Sequence, residues 1–240
     1  MGDKYRRTGE LANWRTVIFG PMKLAIFVGL VALTACREGE ATKGADPAQS
    51  ASSASSALAR SQLRGVTQEP PQPKPSLVLT TTEGKPFDLR KETKGMLTLV
   101  FFGYTNCPDV CPVHTANISK VLKSLPIEVS SKVRYIFITT DPERDTPEVL
   151  GKWLASFDAG FIGLTGTKEE ILAAQQIAQV MPAVREVPDS AKPGQCFVGH
   201  AGQVIAFTPD DDLAHIVYPF GVRQMDWAND IPILVNGWPR

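Results

Sequence analysis

The sequence predicts an α/β fold in which a central mixed sheet is flanked by helices, and three observations carry that prediction. Residues 97–102 and 133–138 are largely apolar runs of strand length, as expected for strands covered on both faces. Between and after them come amphipathic stretches, two of which open with helix-start signals. The chain then closes on short apolar runs and a terminal helical segment.

Taken in order, residues 77–80 and 87–89 flank Glu83, Gly84, Lys85 and Pro86, which reads as a small hairpin. The strands at 97–102 and 133–138 enclose Ile118, Val121, Leu122 and Leu125 at helical spacing, so this stretch reads as a βαβ unit. Thr146, Pro147 and Glu148 supply an N-cap, a first-turn proline and an early acid. Leu150, Trp153, Leu154 and Phe157 follow on one helical face. Thr167 and Glu170 have capping-box spacing ahead of Ile171, Ala174 and Ala178. Residues 196–198 and 204–207 look like an antiparallel pair turned at Ala201 and Gly202, before a last helix containing Trp227 and Pro232. This order favours a sandwich of the thioredoxin-like type.

The 240 residues are 43% hydrophobic, enough for one ordinary core, yet the first third differs so much in character that a single domain is expected over residues 77–240. Formal net charge is zero. Residues 1–35 hold more basic than acidic side chains, so the remainder is slightly acidic and offers no electrostatic case for nucleic acid. One positive charge at Lys23 precedes ten apolar residues, too short to cross a bilayer comfortably but right for a signal-peptide core within residues 1–35. Met22 is a candidate true start, with residues 1–21 upstream of it. Leu33, Thr34, Ala35 and Cys36 look like a bacterial lipobox, which makes Cys36 the expected lipidation site. A short uncleaved anchor helix is the alternative. Either places the domain outside the cytoplasm on a membrane, and two or three acyl chains at about 0.8 kcal/mol per buried CH₂ would hold it firmly. Residues 36–76, rich in Ala, Ser, Gly, Gln and Pro, read as a flexible tether.

The chemistry-bearing feature is the run from Gly103 to Pro112, which places Cys107 and Cys111 where a buried strand gives way to a helix. The positive end of the helix dipole favours thiolate over thiol there. Pro112 falls in the first turn, where its missing N–H has no helical partner. Thiolates are soft ligands that select Cu(I), zinc or iron–sulfur clusters, and two of them need a further ligand to complete a mononuclear site. Three histidines are available. His114 need not converge on the Cys107 side, and His215 follows an acidic turn and could be solvated. His200, at a strand end beside a turn, can project into the site. Cys196, four residues from His200, is expected about 13 Å away along a regular strand, which makes it a buried hydrophobe-like cysteine rather than a ligand.

The run from Gly103 to Pro112 resembles the signature of the Sco (SenC) family of copper-handling proteins. Residues 141–148 with 161–166, the block Val198, Gly199 and His200, and the segment from Tyr218 to Trp227 agree with it, so the resemblance spans about residues 77–236. It implies that Cys107, Cys111 and His200 bind copper, as Cu(I) and also Cu(II). The family usually has Asp before that histidine and Ser or Thr after it, where this chain has Gly199 and Ala201. That departure removes a carboxylate behind the ligand without removing a ligand.

The resemblance thus implies a copper metallochaperone that delivers to the cytochrome c oxidase subunit carrying the CuA site, as a membrane-anchored lipoprotein of the bacterial periplasm. The competing reading is a thiol–disulfide oxidoreductase in which Cys107 and Cys111 are the redox pair, with Cys107 as nucleophile and a Cys107–Cys111 disulfide when oxidised. A disulfide that merely stiffens the loop, and a zinc site on the same ligands, are further alternatives.

Overall fold

The computed structural model describes residues 55–185 and 198–240. The expected signal peptide, Cys36, the first part of the tether and Cys196 lie outside the described residues. The chain divides after Gly44, and the architecture below belongs to the second unit, Ala45–Arg240.

The fold is built outward from β4 (Leu97–Gly103), every residue of which is buried. It runs parallel to β5 (Val133–Thr139), with Leu97 opposite Val133 and Gly103 opposite Thr139. Next to β5 lies β6 (Ile162–Thr165), again parallel. On the other side β4 pairs antiparallel with β9 (Val204–Phe207), β9 with β10 (Leu213–Tyr218), and β10 with the edge strand β1 (Val66–Pro73). The opposite edge is the hairpin of β2 (Val78–Thr81) and β3 (Pro86–Asp88), which joins through β2 to β6. Eight strands therefore form one mixed sheet in the order β1-β10-β9-β4-β5-β6-β2-β3, the thioredoxin-like sandwich that the alternation of elements predicts. One row across it runs Val66, Val217, Ile205 and Val100, so β1 begins level with the middle of β4 and runs antiparallel to it.

The period of two in β4 divides the core between the faces of the sheet. Leu97, Leu99 and Phe101 pack with Ile118 and Val121 of α2 (Val110–Ser124), Leu150 and Leu154 of α4 (Pro147–Ala155), and Trp227, Ile231 and Leu234 of α6 (Gln224–Leu234). Val100 and Phe102 pack with Leu89 of α1 (Leu89–Glu92) and with Ile171 and Ala174 of α5 (Lys168–Ile177). Fully burying one such side chain contributes about 1.5–3 kcal/mol, which is why the apolar runs at 97–102 and 133–138 select the sheet's centre. The helix starts are as the sequence predicts. Thr146 Oγ1 accepts from the Val149 N–H at 3.3 Å, and Thr167 and Glu170 make both bonds of a capping box. A single turn, α3 (Ile127–Ser130), leads into β5.

Three features differ from expectation. Of the antiparallel pair predicted for residues 196–198 and 204–207, residues 196 and 197 lie outside the described residues, and Val198 does not pair with β9. Instead β8 (Val198–Gly199) pairs with β7 (Val184–Arg185), and β9 is enclosed between β4 and β10. The four apolar residues of β9 are all buried, and only an interior position in the sheet covers them on both faces. Secondly, β10, for which the sequence pattern predicts no element, takes in His215, expected there to be solvated. Thirdly, residues 66–73 belong to the sheet rather than to a flexible tether. Their prolines are tolerated because β1 is an edge strand with an irregular register between Thr67 and Gln72.

Candidate metal centre

The site lies where β4 ends and α2 begins. Gly103 closes the strand, and a Cβ at this position would lie 2.8 Å from Cys111 Sγ and from Phe101, and 2.9 Å from Phe137. Only a residue without a side chain lets the backbone pass so close beneath the thiol. The following loop is held by a buried carboxylate. Asp145 accepts from the Thr105 N–H at 2.9 Å, from Thr105 Oγ1 at 2.5 Å and from Thr139 Oγ1 at 2.7 Å. Burial pushes the Asp145 carboxyl upward, against the pull of those three donors. Asp141 pairs with Arg144, whose guanidinium lies 5.8 Å from the centre of the buried Tyr104 ring. The run from Asp141 to Thr146 is therefore both the predicted turn and helix cap and a brace for the cysteine loop. Sequence patterning could not find the brace, because Asp145 and Thr105 are 40 residues apart.

Cys111 sits in the first turn of α2 and is fully buried, while Cys107 precedes the helix at 8% exposure. Both are free cysteines in this structure. The Asp109 side chain makes no capping bond, and the N–H groups of Asp109 and Cys111 turn toward Cys107. The Cys111 thiol bonded to Cys107, then His200 beside it, then those two amides, hold Cys107 down at about 4 against the opposing effect of burial. Burial, and then the neighbouring Cys107 charge, push Cys111 far upward. The metal-free pair is one thiolate and one thiol.

His200 follows β8 and is half-buried, set edge-on to Phe101 and Tyr104 with ring centres 5.8 and 5.5 Å away. Its Nδ1–H donates to the Ala201 carbonyl at 3.0 Å, which leaves Nε2 as the ring nitrogen that faces the sulfurs. Nε2 lies 3.3 Å from Cys111 Sγ and 3.8 Å from Cys107 Sγ, and the three donor atoms all lie within 4.8 Å of one another. Donors about 2.0–2.3 Å from a common ion stand about 3.5–4 Å apart, so this set needs little movement to close on one metal. Two sulfurs and an imidazole suit Cu(I). Among the described residues this is the group of Cys, His, Asp and Glu side chains compact enough to do so.

The other histidines are elsewhere. His114 is buried, and its Nε2 bonds the Gly202 carbonyl at 3.1 Å. His215 is not solvated as expected: it bonds Asp211 at 2.9 Å and stacks on Trp238 at 4.6 Å.

A pH dependence follows from the cysteine pair. The folded Cys107 value lies far below its unfolded value near 9, so its stabilising contribution is complete above pH 9 and is lost as pH falls toward 4. The unfolded chain binds one more proton across that window, and stability rises with pH. Above pH 9 the protonated Cys111 of the folded state reverses the slope. Denaturant unfolding of the reduced, metal-free protein at pH 5 and pH 8 should show this gain, and the Cys107→Ser variant should lack it.

Comparison with known proteins matches the description SCO1/SenC to residues 66–232. A protein of Stutzerimonas stutzeri named putative copper-binding protein is 35% identical over 146 residues, covering 60% of this chain and 69% of that protein. Mitochondrial SCO2 of Saccharomyces cerevisiae is 32% identical over 50% of this chain, which spans only 38% of that relative's length. Among solved structures, ScoI of Bradyrhizobium japonicum with copper bound is 34% identical at a TM-score of 0.57, covering 66% of this chain and 96% of the other. Apo Sco1 of Thermus thermophilus is 27% identical at a TM-score of 0.62, covering 72% and 96%.

Proposed function

The chain belongs to the SCO1/SenC family, and from that premise we propose that it is a copper metallochaperone holding the ion on Cys107, Cys111 and His200. The convergence of these three donor atoms within 4.8 Å carries the reading. Its recipient is the cytochrome c oxidase subunit with the CuA site. Cys111 is the deepest ligand, Cys107 is slightly exposed and His200 is half-buried, so an incoming thiolate displaces those two first and Cys111 last. Copper leaves by ligand substitution, with no change of oxidation state required. The domain works in the bacterial periplasm, tethered through a lipid on Cys36 after removal of residues 1–35. With β1 in the sheet, residues 55–61 helical, and Leu63, Arg64 and Gly65 held to the domain, the tether is the part of residues 36–76 that precedes residue 55. Among the described residues no helix is long and apolar enough to cross a membrane.

The split between a Cys107 thiolate and a Cys111 thiol favours a second reading, thiol–disulfide exchange. The Cys107 thiolate attacks a partner disulfide and releases one partner thiolate. Cys111, on losing its proton, then attacks Cys107 Sγ in the mixed disulfide and releases the other, which leaves Cys107 and Cys111 oxidised and the partner reduced.

Anaerobic titration of Cu(I) into the reduced protein, followed by addition of a CuA-type acceptor domain, separates the two. One tight equivalent that moves to the acceptor supports the chaperone. Weak binding, together with a readily reducible Cys107–Cys111 disulfide, would replace it with the oxidoreductase.

A further inference from the structure

His114 makes a bond whose cost points to a purpose. The ring is buried against Phe101 and Trp227, with centres 5.5 and 6.3 Å away, and burial lowers its proton affinity, so it is neutral. A carbonyl can only accept, so the Gly202 contact at 3.1 Å places the proton on Nε2. Nδ1 is then a bare acceptor, and it is buried without a hydrogen-bond partner among the described residues. An aromatic hydrocarbon of similar size would fill this space without stranding a polar atom. What the imidazole adds is the bond to Gly202.

Gly202 lies two residues beyond His200, in a loop between the two-residue strand β8 and the start of β9. His114 lies one turn beyond Cys111 on α2. Their bond therefore joins the helix that carries one ligand to the loop that carries another. Phe101 packs edge-on against both imidazoles, 5.5 Å from His114 and 5.8 Å from His200, and His114 is not among the residues whose donor atoms converge.

We propose that His114 is a positioning residue for the copper site, fixing the His200 loop to α2 so that Nε2 stays aimed at the two sulfurs. The proposal rests on the copper reading above. Groups that orient a ligand from behind typically change metal affinity by about 10–100-fold when removed. This chain has Gly199 in place of a carboxylate beside His200, and the His114 bond acts on the same loop from the helix side.

The test uses the full chain in detergent, with copper ions alone as the probe, and compares the parent with His114→Phe and His114→Gln. Phe fills the space without a donor, and Gln restores an N–H toward Gly202. Expected are a loss of about 10–100-fold in Cu(I) affinity for His114→Phe, weakened nitrogen hyperfine structure in its Cu(II) electron paramagnetic resonance spectrum, and recovery of both in His114→Gln. Parent-like affinity and hyperfine structure in His114→Phe would overturn the proposal while leaving the copper reading intact, as would a folded His114→Gln that recovers neither. A parent that binds no copper would remove both. Nitrogen-15 spectra of the parent add a check that needs no variant: His114 protonated on Nε2 supports the assignment, and a proton on Nδ1 overturns it.

Discussion

Cys111→Ser is expected to abolish the tight Cu(I) equivalent, and Cys107→Ser to do the same by a different route. A serine hydroxyl is a hard donor that stays protonated at neutral pH, so either change leaves one sulfur and one imidazole. In Cys111→Ser the surviving Cys107 loses the thiol bond that is the largest influence holding it down, and its proton affinity climbs back toward the ordinary thiol range. In Cys107→Ser the survivor is a deeply buried thiol with almost no thiolate at neutral pH. Competition with a Cu(I) chelator should therefore find no retained copper in either variant, while alkylation at pH 6 should mark Cys107 in the parent and nothing at residue 111 in Cys107→Ser. His200→Ala keeps both sulfurs and should retain a weaker two-coordinate Cu(I), with Cu(II) binding lost. Retention of parent affinity by either serine variant would remove that sulfur from the site.

The second large effect is expected of a single methyl group. Gly103→Ala places a Cβ at 2.8 Å from Cys111 Sγ and Phe101 and at 2.9 Å from Phe137, in a layer where every neighbour is itself fully buried. Overpacking of this kind costs about 1–3 kcal/mol, occasionally more. A protein of this size loses roughly 2–4 °C of melting temperature per kcal/mol. Because Cys111 Sγ is one of the three atoms that must give way, copper affinity should fall with stability. Gly151→Ala is the matched control: its Cβ meets Thr82 at 3.4 Å within α4, where exchanging Gly for Ala stabilises by about 0.4–1 kcal/mol. Thermal melts of the two alanine variants should thus move in opposite directions. Equal melting temperatures would mean that the strand end relaxes around the methyl.

Elements whose driving force is local could be read directly. The sheet centre follows from unbroken apolar runs at 97–102 and 133–138, and α4 and α5 from side chains that cap their own backbones. Cys107 and Cys111 were legible because four-residue spacing at a helix start is itself a geometry. Elements fixed by distant partners were not. A short strand such as β8 does not carry the identity of its neighbour, so residues 196–198 looked like a match for 204–207. The acidic turn before β10 made His215 read as solvated, yet Lys74 reaches Asp212 at 2.7 Å and Trp238 covers His215, groups far off in sequence. The brace at Asp145 and the bond from His114 to Gly202 are hidden for the same reason. Each joins groups that only folding brings together, and for His200 it was the family resemblance, not the local pattern, that singled it out.

The row that runs from Val66 through Val217 and Ile205 to Val100 also fixes where a leash would be attached. Strand spacing puts Val66 about 15 Å to the side of β4 and level with its middle, about 10 Å short of Gly103. The attachment is firm, since the N–H groups of Arg64 and Gly65 bond the Asp230 carboxylate, which also accepts from Tyr218. A tether fastened at the opposite end of a seven-residue strand would forfeit about 20 Å of range to the thickness of the domain. Fastened level with mid-strand, a leash would forfeit about half of that, and more of its length would serve to carry the site toward an acceptor.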